Sequence, residues 1–375
     1  EINVSMEMDA IGIEEVVAIG YGTLSKKDLT GAVSIVNVEQ LSEISSVSVM
    51  QNLQGSVSGL NVGAVDRAGE DPLLSIRGQN TLSSDAGSNA PLIVVDGIIY
   101  RGSMVDLNVA DIESIDILKD ISSAAIYGSQ ASNGVILVTT KKGDDSTKPV
   151  INYSGSYSLQ VPSNKLEPMS GNELEEFLYD VYWENGGRIG PDYLEKNPDF
   201  QVSDILSSGE AIENYRNGNE TDWWGMLTGN GYINKHNLSL QGKNSNLSYY
   251  TSVGFTDVQG FLENDNYKKF NYRINLDAKV NDYFNFGIES FLTSSDYSGV
   301  EPDLHSAFTT FPWEPLFDEE GNYTLYPRSS QLNPFLVIAQ DDSDKRFNLS
   351  GNLYADIKVP GINGLKYRIN FSQNY

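Results

Sequence analysis

The strongest regularity along the chain is a strict alternation of apolar and polar positions in its C-terminal part. Residues 270–280, FNYRINLDAKV, put Phe270, Tyr272, Ile274, Leu276, Ala278 and Val280 on one face, with Asn271, Arg273, Asn275, Asp277 and Lys279 on the other. A period of two predicts a β-strand, because successive strand side chains point to opposite faces. A strand that long, with so wet a second face, must still place its apolar face somewhere. The dyad recurs in NLSYYTSVGF (246–255), FNLSGNLYADIKV (347–359) and LKYRINF (365–371). With INYSGSYSLQ, INKHNLSLQG and YFNFGIESFLTS it predicts about seven strands of about ten residues, the length that crosses a bilayer at a tilt.

The connections between these strands also alternate. About 70 residues follow the first strand; then come GKNSN, the medium-length DVQGFLENDN, the turn Asn281-Asp282, about 50 residues, and PGING. Long loops alternate with short turns when one end of a barrel faces outside and the other the periplasm. A soluble β-sandwich shows the same alternation of faces, but gives no reason for the alternation of loop lengths.

Upstream the pattern changes. EINVSMEMD (1–9) alternates as a half-buried strand with no partner in view, as the end of an upstream domain would. From about residue 30 to 143, the β-branched runs AVSIVNV, LLSIRG, PLIVVDGIIY and NGVILVTTKKG are separated by short helical candidates, which predicts mixed α/β structure. SVSVMQNLQGSV (46–57) is predicted as a helix closed by Gly59, and Ser122 as an N-cap for SAAIYG before Gly128. Between residues 14 and 22 lies EEVVAIGYG, where Val16, Val17, Ala18 and Ile19 favour a strand and Gly20 and Gly22 fence it off. Such a segment suits addition to a partner's sheet edge; the other reading is a strand paired inside its own domain.

Composition narrows the function. A chain of 375 residues is long enough for two or more domains. With 25 Lys+Arg against 51 Asp+Glu, the net charge of −26 excludes nucleic acid as a partner. The absence of cysteine excludes disulfides, Cys-zinc sites and thiol nucleophiles. His236 and His305 are the only histidines, and no apolar run approaches the roughly 20 residues of a spanning helix. The acidic runs FDEEGN (317–322) and DDSDK (341–345) lack the spacing of a calcium loop, and no phosphate-binding glycine motif is present, so neither metal nor cofactor is predicted. Trp183, Trp223, Trp224 and Trp313 fall in the two longest predicted loops, where their rings either stack on sugar rings or peptide side chains or pack the loops.

One stretch carries a family signature: Ile76-Arg77-Gly78, Pro91 through Asp96-Gly97, Asp111-Ile112-Glu113-Ser114-Ile115, Leu118-Lys119-Asp120, Ala125-Ile126-Tyr127-Gly128 and Asn133-Gly134-Val135-Ile136. These residues resemble the plug domain of a TonB-dependent outer-membrane transporter of the SusC/RagA type, over about residues 14–143. Gln130 and Ile121 depart from the family pattern. The fold implied is a mixed α/β plug domain followed by antiparallel transmembrane β-barrel strands, about seven of a full barrel of about 22. The implied division is an upstream domain end or linker at 1–13, a TonB-box region and tether at 14–29, the plug at 30–143, and the first part of the barrel at 144–375. Long extracellular loops are expected at about 161–231 and 296–345. About seven strands do not close around such a plug, so further strands are expected after residue 375, and a carboxypeptidase-regulatory-like domain upstream.

The resemblance also implies roles. Glu15, Val16, Val17, Ala18, Ile19, Gly20, Tyr21 and Gly22 become the TonB-binding segment. Arg77, Gly78, Asp96, Gly97, Lys119, Asp120, Tyr127, Gly128, Asn133 and Gly134 become structural residues of the plug. Of these, Arg77 and Asp96 each lead from a strand-like run into a glycine, a place for buried or barrel-facing charge pairs. The expected protein is not an enzyme. It is an importer in the cell outer membrane, with plug and TonB box facing the periplasm, driven by TonB with ExbB and ExbD and capped by a SusD-like lipoprotein. Its expected cargo is an oligosaccharide, with an oligopeptide as the alternative. A surface binding or adhesion protein that keeps the barrel without transport is the competing class, and a hydrolase is weaker because no motif places two acids together.

Overall fold

The computed structural model describes residues 16–19, 22–25, 33–36, 38 and 46–375, apart from 66, 84–86, 121–123, 144–147, 163–166, 329 and 363. The strand expected within residues 1–9, the upstream domain end and the Ser122 cap lie outside the described residues. Strands β1 (Val16–Ile19) and β2 (Gly22–Ser25) pair antiparallel as a two-stranded sheet of their own.

The plug is built from β3 (Val33–Val36), β4 (Leu60–Val62), β5 (Leu74–Ile76), β6 (Leu92–Val95), β7 (Ile98–Tyr100), β8 (Ile112–Leu118) and β9 (Val135–Thr140). Five of them form one sheet in the order β3-β8-β9-β6-β7, parallel only between β6 and β9, while β4 and β5 pair separately. The central strand β9 opens with the continuous apolar run Val135–Val138, and Ile115, Ile117 and Leu118 of β8 are buried beside it, because both faces of these strands are covered. Ile115, Ile117, Ile136 and Val138 pack with Met50, Leu53 and Leu107 on one side. Leu118, Val135 and Leu137 pack with Val94, Ala124 and Ala131 on the other.

The helix predicted over 46–57 is not formed; one 3-10 turn, Gln51–Leu53, takes its place. The Ser48 hydroxyl accepts from the Met50 N–H, and Ser46 donates to the Ser48 carbonyl, so side chains take up backbone groups that a helix would use. Gly55 and Gly59 then turn the chain at positive φ, while Val49, Met50 and Leu53 are all drawn into the plug core. Packing overrides the helical pattern here.

The wall is one seven-stranded antiparallel sheet. It begins with β10 (Val150–Gln160), followed by a long connection holding α1 (Gly171–Val181), β11 (Arg188–Ile189), β12 (Glu195–Lys196) and α2 (Gly209–Asn217). Next come β13 (Gly231–Lys243), β14 (Leu247–Gln259), β15 (Asn266–Lys279) and β16 (Phe284–Asp296). A second long connection carries the short helices α3 (Leu304–Thr309) and α4 (Pro334–Ile338) and leads into β17 (Lys345–Lys358) and β18 (Lys366–Asn374). Every wall strand pairs with its neighbour in chain order, leaving β10 and β18 at the sheet edges.

The two faces of this sheet are inverted relative to a soluble one. Val253, Phe255, Phe270, Tyr272, Phe286, Phe347, Leu353 and Phe371 are exposed, whereas Ser252, Thr256, Lys269, Asn271, Arg273, Asn275, Glu289 and Thr293 are buried. The wet face seen in the sequence is the one that protein covers, against the plug; the apolar face is the outer surface, as hydrocarbon requires. No helix among the described residues is long and apolar enough to cross a membrane.

This assignment of faces predicts a position-specific effect. Val253 lies on the outer face at the middle of β14. Val253→Arg in the full-length protein is expected to cost about 2–4 kcal/mol and to lower the folded fraction seen as heat-modifiable migration on a denaturing gel. Unchanged folding would mean that this face does not meet lipid.

Candidate functional site

The N-terminal strand pair is the first element of the site. Val16–Ile19 are matched one for one with Ser25–Gly22, and β1 pairs with no other strand among the described residues. One edge of β1 is therefore taken by β2, and the other is not used in any plug strand pairing. Glu15, Gly20 and Tyr21, the rest of the predicted TonB-binding segment apart from Gly22 in β2, lie outside the described residues.

The plug signature resolves into turns and the contacts that hold them. Asp96 and Gly97 link β6 to β7 as a two-residue hairpin turn, both at positive φ (49° and 85°), the conformation that Asp-Gly favours. Arg77 and Gly78 also have positive φ, and the Arg77 guanidinium pairs with the Asp120 carboxylate at the plug surface. Lys119 donates to the Ser58 carbonyl at 2.5 Å, and the Asn133 amide to the Ser88 carbonyl at 3.0 Å. Gly128, at φ 65°, breaks the 3-10 segment Ala125–Ala131, and Tyr127 packs beside Ala131 and Leu118. Gly134 has φ 90°, and a Cβ there would meet Ile76 at 2.8 Å and the Leu118 carbonyl at 3.0 Å.

Asp96 also faces the wall. Its carboxylate accepts from the Thr140 N–H (2.9 Å) and hydroxyl (2.7 Å), and lies 3.5 Å from Arg273 Nη1 on β15. The Arg273 side chain is only 3% exposed, with its Nε 3.7 Å from the Asp111 carboxylate of the plug. Tyr250 on β14 donates to Asp111 at 2.8 Å. Asn275 bonds the Thr140 hydroxyl (3.0 Å) and the Lys141 carbonyl (2.8 Å), and the guanidinium stands 5.2 Å from the Phe291 ring centre. Two plug carboxylates thus converge on one wall arginine, inside a shell of hydrogen bonds. Arg273 was visible in the sequence as a charge on the wet face of a strand, but nothing there identified its partners.

Further contacts fasten the plug around this centre. Asn108 donates to Asn237 at 2.8 Å, Asn348 to Asp106 at 2.9 Å, and Lys142 pairs with Glu289 at 2.8 Å. Toward the outer end, Arg67 pairs with Glu301 at 2.6 Å and Ala68 N–H donates to Asp265 at 2.8 Å. Between them Gly69, at φ 79°, passes so close to the Tyr267 ring that a Cβ would enter it. Within the plug, Asp71 accepts from the Met104 and Val105 N–H groups; burial still holds its carboxyl above the usual carboxylate range.

The two long loops share cores. Leu174, Leu178, Val202 and Ala211 of the first pack with Phe311 and Trp313 of the second, and Trp223 and Leu227 pack with Ala307 and Phe335. Trp223 and Trp313 are buried, Trp223 donating to the Phe311 carbonyl at 3.1 Å. Trp183 is 41% exposed, edge-on to Tyr193, and the half-buried Trp224 is edge-on to Phe308. Glu314 is fully buried beneath this cap and accepts from the Ser207 hydroxyl at 2.7 Å; burial pushes its pKa up.

A plug seated on the polar face of antiparallel strands whose other face is apolar defines a plugged outer-membrane β-barrel. Residues 25–135 match the TonB-dependent Receptor Plug Domain family. The chain is 32% identical over 365 residues to TonB-dependent receptor P26 of Formosa agariphila, covering 95% of this chain and 34% of that protein. It is 30% identical over 335 residues to TonB-dependent receptor SusC of Bacteroides thetaiotaomicron, covering 86% and 30%. Its fold is similar to the RagAB peptide importer in the open-open state, with a TM-score of 0.74, 24% identity, and coverage of 96% of this chain and 42% of that one. Over nearly its whole length the chain is similar to TonB-dependent receptors of the SusC/RagA type, and it spans about a third of the length of the curated relatives it matches.

Removing one partner from a buried ion pair is expected to cost about 3–5 kcal/mol, because the remaining charge stays buried. Arg273→Met should therefore loosen the plug, read as faster proteolytic cleavage within residues 46–143 of the detergent-solubilised full-length protein. Adding Asp96→Asn and Asp111→Asn should restore part of the protection. Cleavage at the wild-type rate in the single variant would show that Arg273 does not hold the plug.

Proposed function

We propose that this chain forms the energy-coupling segment, plug and first wall strands of an active importer in the bacterial outer membrane, with plug and TonB box facing the periplasm. The observation that carries this reading is the placement of β1: a strand of high β-propensity that stands outside the plug sheet and pairs only with β2 among the described residues. Such a strand adds to a partner's sheet through main-chain hydrogen bonds. The partner proposed is TonB, working with ExbB and ExbD, which pulls on this segment and displaces part of the plug. The neutral polar contacts that flank the Arg273 cluster, such as Asn108 with Asn237, support the same reading, since their hydrogen bonds can be exchanged for water.

The proposed cargo is an oligosaccharide, delivered under a SusD-like lipoprotein lid. The partly exposed rings of Trp183 and Trp224 in the loop cap support this, because aromatic faces stack on sugar rings. An oligopeptide is the second reading. It is favoured by a cavity of about 560 Å³ between the loops, lined by Glu210, Glu213, Glu220 and Asp222, which suits a cationic chain.

Deleting residues 15–22 from the full-length protein should abolish cargo uptake while surface binding of the cargo persists. A binding or adhesion protein would be indifferent to the deletion, and retained uptake would defeat the import reading. Trp183→Ala combined with Trp224→Ala should weaken oligosaccharide binding tenfold or more, about 1.4 kcal/mol, and leave peptide binding unchanged. The opposite pattern would assign the cargo to peptides.

A further inference from the structure

Between plug and wall lies a cavity of about 470 Å³ lined by Lys141 of the plug segment and by Lys235 and Lys269 of β13 and β15. Its other polar lining comes from neutral groups such as Asn108, Asn237 and Ser239, and among the described residues no Asp or Glu lines it. That is a sharp local reversal in a chain of 51 acidic and 25 basic residues. Among the described residues each lysine has a single hydrogen-bond partner, a backbone carbonyl: Ala110 at 2.8 Å for Lys141, Ser46 for Lys235, and Val105 at 2.6 Å for Lys269. Among the described residues, none of the three forms an ion pair.

The plug carboxylates that act on Lys269 from a distance, Asp106, Asp111 and Asp71, are in direct contact with other groups. Asp111 is held by Tyr250 and faces Arg273, and Asp106 accepts from Asn348 and Tyr100. Lys269 is only 3% exposed. A buried ammonium with no carboxylate in contact is costly, and several sharing one cavity repel each other. A carbonyl satisfies one of an ammonium's three donors and supplies no net charge.

We propose that this cavity is an oxyanion site, in which one phosphate or carboxylate group bridges Lys141, Lys235 and Lys269 and neutralises them. The spare donors of the three lysines, together with the Asn108 and Asn237 amides and the Ser239 hydroxyl, supply the hydrogen bonds that an oxyanion accepts. Because Lys235 and Lys269 belong to the wall and also grip plug carbonyls, a bound anion ties wall to plug.

The test is a titration of the detergent-solubilised full-length protein with inorganic phosphate at constant ionic strength, chloride being the balancing ion. Calorimetry should show saturable binding of one phosphate per chain, with a rise in melting temperature. Acetate in a parallel titration separates carboxylate from phosphate chemistry, and saturation by either supports the site. Lys269→Met and Lys235→Gln should each weaken binding tenfold or more. Lys345→Met, on the exposed outer face, should leave it unchanged. Failure of both anions to saturate the wild-type protein overturns the proposal, as does undiminished binding by the folded Lys235→Gln variant. The wild-type titration decides the matter even where Lys269→Met fails to fold.

Discussion

The apolar outer face of the seven wall strands dictates what can lie inside them. In hydrocarbon every backbone N–H and C=O must be satisfied by a neighbouring strand, which imposes the unbroken antiparallel ladder from β10 to β18. With one side of each strand given to lipid, the wet residues of the alternation can only point inward. The plug must therefore bury its apolar residues within its own sheet and meet the wall with polar groups. The two apolar plug cores on either side of β8 and β9 are the result. So is the small apolar share of the seat, limited to contacts such as Phe291 with Tyr100, and Val105 with Ile233, Val258 and Tyr267.

A polar seat differs from an apolar one in how it comes apart. Burial of apolar surface contributes roughly 25 cal/mol per Å², all lost when the surfaces separate. A neutral hydrogen bond has a net worth of only about 1 kcal/mol, because water replaces the partner. The contacts of Asn108 with Asn237 and of the Thr293 hydroxyl with the Asp106 backbone carbonyl are of the exchangeable kind. The Arg273 cluster is different, since two carboxylates and a guanidinium are held away from water with almost no exposure. It resists partial opening, where one charge would be stranded, more than complete separation, where all become hydrated. A seat of this composition is firm against small displacements and yields once water enters.

Most of the wall was legible in the sequence because a period of two in side-chain direction leaves a direct trace in composition. The Asp96-Gly97 turn left a trace of the same kind, unread within the run PLIVVDGIIY: Asp-Gly between two abutting apolar stretches favours the positive φ of a hairpin turn. Residues 46–57 misled because local pattern suggested a helix while the serine side chains and the glycines at 55 and 59 favoured a turn. The Arg273 cluster was out of reach, since Asp96 is 177 positions away and a single sequence carries no record of which distant charges meet. The loop cap was hidden likewise: Trp223 and Trp313 sit in cores assembled from both long loops, and neither loop alone shows what its tryptophans face.

On the import reading, the order of strands decides where a pull on the N-terminus is felt. Among the described residues, the strand that follows β2 is β3, which lies at the edge of the plug sheet and pairs there only with β8. That pairing joins four residues, Val33–Val36, with Ile35 exposed and only Val36 buried. Detaching β3 breaks one short ladder and leaves the β8-β9-β6-β7 body intact, with Asp96 and Thr140 still on it. Local opening is drawn from segments with few buried apolar contacts, and β3 is such a segment at the point where tension arrives. The sheet therefore divides into a strand that can yield and a body that stays folded on the wall. The Arg273 cluster fastens the body, so a pull that strips β3 alone leaves the seat closed, and opening it requires the load to pass on to β8.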